Sequence, residues 1–124
     1  MSESKKTVII GASNNPSRYS FMAAGMLSDY NHEFVPVGIK KGDVYGKNIL
    51  NISARPAIAD VDTVTLYMGP VHQPAYYEYI LSLKPKRVIF NPGTENPEFE
   101  ELIEQSGAEV LEACTLVLLR SGQY

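Results

Sequence analysis

Five short apolar runs punctuate the chain: Thr7 to Ile10, Phe34 to Ile39, Thr63 to Met68, Arg87 to Phe90 and Glu109 to Leu111. Stretches with helical spacing lie between most of them. Such alternation is what crossover units feeding a parallel sheet produce, so the pattern predicts an α/β fold. The expected architecture is an open, mostly parallel, twisted sheet of about five strands with helices on both faces.

Between the first two runs, YSFMAAGMLSDY spaces Met22, Met26 and Tyr30 four apart with Ala23 and Leu27 beside them, one stripe at helical period. Between the third and fourth, Pro74 suits a first helical turn, and Tyr76, Ile80 and Leu83 share a face with Tyr77 and Leu81. After the fourth, Asn96 is a capping residue and Pro97 a first helical position. Glu98, Glu100 and Glu101 complement the dipole, and Gly107 supplies a stop. Lys40 to Ala59 has no clear period and reads as a long connection with room for one short helix or strand. Past Cys114, TLVLLRSGQY leaves helix and strand both open.

Composition narrows the function classes. With 124 residues the chain reads as one domain, 1–124, and with 44% apolar and 20% charged residues it reads as an ordinary globular one. Eleven Lys and Arg against 14 Asp and Glu give a formal charge of -3, which disfavours nucleic acid and anionic membrane as partners. Cys114 is alone, with neither a disulfide partner nor a companion at metal-ligand spacing. The opening MSESKK precedes only a short apolar run, below signal-peptide or membrane-span length, so the expected compartment is the cytoplasm.

Candidate chemistry concentrates where the first strand should end, in VIIGASNNPSRYS. A strand that ends in Gly-Ala-Ser before a helix can turn backbone N–H groups and the positive dipole end toward a phosphate. Gly11 and Ala12 keep bulk away, Ser13, Asn14, Ser17 and Ser20 offer donors, Pro16 fixes the turn, and Arg18 adds a permanent charge. The alternative is a capped turn with no ligand. The fingerprint GxGxxG is not met, because Ser13 and Pro16 occupy its second and third glycine positions.

After the second run, FVPVGIKKGD places Lys40 and Lys41 where an NAD-binding fold usually carries an acid for the ribose. Ammonium groups there suit a phosphorylated ribose, as in NADP or coenzyme A. A solvated surface turn is the other reading.

Together with DVDTVTLYM and FNPGTENPEFEELIEQSGAEVLEAC, these segments resemble the stand-alone CoA-binding domain proteins, related to the nucleotide-binding domain of succinyl-CoA synthetase. The resemblance runs from about Lys6 to Cys114. It implies a Rossmann-like sheet that holds coenzyme A, with the Gly11 to Ser20 loop, Tyr19 included, at the pyrophosphate. It also implies Pro36, Val37, Gly38, Lys40 and Lys41 near the adenosine end and Tyr67, Met68 and Gly69 as a wall beneath the ligand. Asn91, with Gly93 two positions on, stands where the family often has Gln before Pro-Gly, and Gly38-Ile39 replaces the family's Asn-Pro.

No catalytic residue emerges from spacing or periodicity. His32 reads as a surface residue near a helix end, where a positive charge is mildly favourable. His72 falls in a loop that could face the cleft, and Tyr45, like Tyr19, flanks an implicated loop. Cys114 reads as packing, or as a thiol facing the pantetheine end of the ligand. The leading expectation is a protein that binds coenzyme A or an acyl-CoA as a non-catalytic carrier, sensor or accessory subunit, with a protein partner or homo-oligomer open. The alternatives are an NADP-dependent oxidoreductase and an interaction module with a vestigial nucleotide pocket.

Overall fold

The computed structural model describes residues 4–124; Met1 to Glu3, the start of the MSESKK segment, lie outside it. In chain order the elements are β1 (Thr7–Ile10), α1 (Tyr19–Asp29), β2 (Phe34–Gly38), β3 (Asp43–Val44), β4 (Lys47–Asn48), β5 (Leu50–Asn51), β6 (Thr63–Leu66), α2 (Tyr77–Ser82), β7 (Arg87–Phe90), α3 (Pro97–Gln105), β8 (Glu109–Glu112) and α4 (Thr115–Arg120). The main sheet has six strands in the order β5-β2-β1-β6-β7-β8, and every neighbouring pair is parallel. The fold is α/β and Rossmann-like. Strands are added outward from β1 through β2 to β5, and the chain then returns to add β6, β7 and β8 on the other side. The order therefore reverses between β1 and β6, where open α/β sheets place their ligands.

Both faces are covered, which is why β1, β6 and β7 are buried along their whole length. Alternate residues point to opposite sides. Val8, Ile10, Val64, Leu66, Val88 and Phe90 pack with Ile80 of α2 and with Phe99 and Ile103 of α3. Ile9 and Ile89 pack on the other side with Ala24 and Leu27 of α1 and Leu119 of α4.

Three details differ from the sequence expectation, and a fourth decides between two open readings. The sheet gains a sixth strand at its edge, the two-residue β5, and the 40–59 connection also folds into a β3–β4 ribbon, elements too short to show a period. The inward side of α1 is Ser20, Ala23, Ala24 and Leu27, while Met22 and Tyr30 are exposed. Small residues let the helix lie close on the sheet. The Pro74 segment begins as a 3₁₀ turn, Pro74–Tyr76, before α2. Finally, TLVLLR is a helix, α4.

Asn96 and Pro97 open α3 as expected. The Asn96 side chain accepts from the Phe99 N–H at 3.1 Å, and the Glu100 carboxylate reaches back to accept from the Asn96 N–H at 3.0 Å. No helix among the described residues is long and apolar enough to cross a membrane.

Candidate functional site

At the carboxyl ends of β1, β6 and β7 the two sides of the sheet part and leave a cleft. Its central part, about 440 Å³, is lined by residues from five places: Gly11 to Ser13, Arg18 to Ser20, Ile39 and Lys40, Tyr67 and Gly69, and Pro92 to Thr94. Two lobes adjoin it. One, about 640 Å³, runs along the segment before α2, past Met68, Val71, His72, Ala75 and Tyr76. The other, about 240 Å³, sits beyond β7 and β8 among Tyr19, Tyr67, Asn91, Pro92, Cys114 and Leu116.

The bend after β1 is held from both sides. The Val37 carbonyl at the end of β2 accepts hydrogen bonds from the N–H groups of Gly11 (2.9 Å) and Ala12 (3.0 Å). Gly38 lies against the same bend, and a Cβ there would sit 2.6 Å from the Ala12 carbonyl oxygen. Pro36, Val37 and Gly38 are buried and prop the loop from beneath. The first two N–H groups of the loop are therefore committed to the protein, contrary to the expectation that they face a ligand.

Donors remain farther along. Ser13 Oγ accepts from the Asn15 N–H at 3.1 Å, leaving its own hydrogen to donate. Asn15 Oδ1 accepts from the Ser17 N–H and hydroxyl, and the Asn15 carbonyl accepts from the Arg18 N–H. This local turn delivers the chain into α1 with no side-chain cap. Among the described residues the N–H groups of Tyr19 and Ser20 and the Ser20 hydroxyl have no hydrogen-bond partner, and Ser20 is buried against the cleft. A helix start of this kind attracts an anion.

Charge points the same way. Arg18 and Lys40 line the cleft, and no carboxylate side chain lines it or its two lobes. The whole chain carries a net charge of -3, so the walls run against the protein's own balance. The Glu95 carboxylate accepts from the Gly93 N–H at 2.9 Å, fixing the turn at 92–95.

The lysine pair separates. Lys40 lines the cleft, whereas Lys41 borders a different depression with Gly42, Asp43, Asn48 and Ile49. Asn14 packs on the Gly42 turn, where a Cβ would meet its Nδ2 at 2.6 Å, and neither it nor Pro16 lines the cleft. Tyr45 also lies elsewhere. Its ring packs on α1, 4.8 Å from that of Phe21.

Two buried amides that spacing gave no reason to pair hold the loops at the far side. Asn91 Nδ2 donates to Thr65 Oγ1 (2.7 Å) and to the Leu66 carbonyl (2.8 Å), and its Oδ1 accepts from the Thr115 N–H at 2.9 Å. It joins β6, β7 and α4, and its hydrogen-bonding groups face the protein. Gln73, fully buried, donates to the Met68 and Thr94 carbonyls and accepts from Asn96 Nδ2. Tyr67 forms the floor shared by the cleft and both lobes. Its hydroxyl lies inside, beside Thr65 and Thr115, with no hydrogen bond of its own, and burial pushes the phenol well above its ordinary pKa.

A family model described as a CoA binding domain matches residues 5–120. A crystal structure of an uncharacterized protein is 54% identical, covering 99% of this chain and 100% of its own, with a TM-score of 0.96. A conserved hypothetical protein from Pyrococcus furiosus is 25% identical over 91% of this chain and 97% of its own, with a TM-score of 0.79. A hypothetical protein from Pyrococcus horikoshii OT3, at 23% identity, 95% and 83% coverage and a TM-score of 0.82, shares the fold. Among curated proteins no match is found.

Proposed function

The chain belongs to the CoA binding domain family, and on that premise we propose that the cleft binds coenzyme A. The observation that carries this reading is the pairing of Arg18 and Lys40 with the uncapped start of α1, in a cleft without carboxylate walls. The pyrophosphate lies at the Tyr19 and Ser20 N–H groups, with the Ser13 and Ser20 hydroxyls and Arg18 as further donors. Lys40, following β2, meets the ribose phosphate.

The length of the cleft suits a ligand with an arm. Lys40 follows β2 and Cys114 follows β8, four strand spacings apart, or about 19 Å along the sheet edge. A bare mononucleotide does not cover that distance. Gly69 and Gly93 leave the middle unobstructed for the arm above Tyr67. The protein then serves as a carrier, sensor or accessory subunit that holds the cofactor without transforming it.

Thermal shift with coenzyme A, dephospho-CoA, NAD and NADP in parallel tests this. Ligand at a hundred times its Kd stabilises the fold by about 2.7 kcal/mol. The expected ranking puts coenzyme A first and dephospho-CoA well below it. A larger response to NADP would favour a dinucleotide-dependent oxidoreductase, and silence from all four would favour an interaction module.

A further inference from the structure

We infer that the side lobe beyond β7 and β8 is an acyl chamber, and that the preferred ligand is a short, uncharged acyl thioester of coenzyme A rather than the free thiol. The inference rests on the proposed coenzyme A reading and concerns the ligand's far end.

The lobe shares Tyr19, Tyr67 and Pro92 as walls with the central cleft, so a ligand seated there can continue into it. It stands at the opposite edge of the cleft from Lys40. The larger lobe, along the segment before α2, instead shares Ile39 with the Lys40 side and carries His72, which makes it a poorer terminus for an arm that starts at Lys40. Few hydrogen-bonding side-chain groups are turned toward the chamber. All three of the Asn91 contacts go to Thr65, Leu66 and Thr115, and the Tyr67 hydroxyl is turned inward. What faces the space is two aromatic rings, Pro92, Leu116 and the weakly polar Cys114 thiol.

Such walls reward apolar surface and offer a carboxylate no opposite charge, because no basic side chain lines the chamber. Its size sets the length. A cavity of about 150 Å³ holds benzene; at about 240 Å³ the chamber takes a group of roughly six carbons with its thioester, and a long fatty chain does not fit.

The test is calorimetry on the full chain with coenzyme A and its butyryl, hexanoyl, succinyl and palmitoyl thioesters. Each methylene buried should tighten binding about four-fold, so hexanoyl-CoA should exceed coenzyme A by at least ten-fold. Succinyl-CoA should show no such gain, and palmitoyl-CoA should fall below hexanoyl-CoA. In Leu116→Phe, which fills the chamber, the ratio of hexanoyl-CoA to coenzyme A affinity should approach one. Should that variant not fold, the wild-type series decides alone. Coenzyme A binding with no acyl gain, or with a succinyl preference, overturns the chamber and leaves the cofactor reading intact. No binding of any of the five overturns both.

Discussion

Gly11 meets the backbone of Tyr67 so closely that a Cβ built on it would lie 2.9 Å from the Tyr67 carbonyl carbon. The contact joins the ends of β1 and β6, the two strands between which the sheet order reverses. Gly11 also has φ +95°, a conformation L side chains rarely adopt. Gly11→Ala should therefore cost roughly 2–4 kcal/mol, from backbone strain together with overpacking against atoms that cannot yield. Urea unfolding measures the loss. A change below about 0.5 kcal/mol would mean that the bend can open without penalty.

Lys40 and Lys41 are adjacent in sequence and face different depressions. If the ribose phosphate sits in the cleft, Lys40→Ala should lower coenzyme A affinity about ten-fold and remove the preference over dephospho-CoA. Lys41→Ala should leave that preference in place. Titrating both variants with both ligands separates the two positions, and equal effects would show that the two side chains act as one cationic surface.

That separation illustrates what the sequence could reveal. The strand ends at Thr7, Ile10, Arg87 and Phe90 were legible because these strands are buried on both faces and bounded by polar residues. α3 was legible because Asn96 and Pro97 act on their own neighbours. The turn after β1 was legible as a bend. Which of its N–H groups are available was not, since the Val37 carbonyl that takes two of them arrives from another strand. The α1 face was legible in part: Ala23 and Leu27 of the apolar stripe are buried, whereas Met22 and Tyr30 are exposed. Apolar residues lie on several sides of that helix, so packing against Ile9 and Ile89 selects the side that carries Ala24 and Leu27. Gln73 and Asn91 look like loop residues until the topology buries them among carbonyls.

Asn91 supplies a third prediction. Its side chain ties Thr65 and Leu66, at the end of β6, to the first residue of α4 through three hydrogen bonds in a buried setting. Asn91→Ala leaves the Leu66 carbonyl and the Thr115 N–H without those partners. Each such orphan costs about 1–3 kcal/mol, so destabilisation of about 3 kcal/mol or more is expected in urea. Hydrogen exchange at Thr115 should accelerate in parallel. Unchanged protection there would show that α4 is anchored by its apolar contacts alone.

His32 carries the pH dependence, with a sign opposite to the sequence expectation. It follows a left-handed Asn31 (φ 64°), and its N–H returns to the Leu27 carbonyl at 2.8 Å while the Asn31 N–H bonds Ser28, a closing motif that draws the ring inward. There Nδ1 accepts from the Lys5 N–H at 2.9 Å, and the ring lies 5.0 Å from that of Tyr124. Burial, then the charges of Lys5 and Arg87, hold the imidazole below its ordinary 6.5, outweighing Asp62. The unfolded chain consequently binds a proton that the folded chain resists. Stability contributed by the neutral ring is complete above pH 6.5 and declines as pH falls through the folded value. Glu100, raised by burial and by Glu112, acts in the opposite sense at lower pH, so the window to examine is pH 8 down to about 5.5. Urea midpoints over that range should fall below pH 6.5 in the native protein and stay flatter in His32→Gln, whose amide can still accept from Lys5. A native midpoint that rises on acidification would mean that Asp62 dominates the ring's environment.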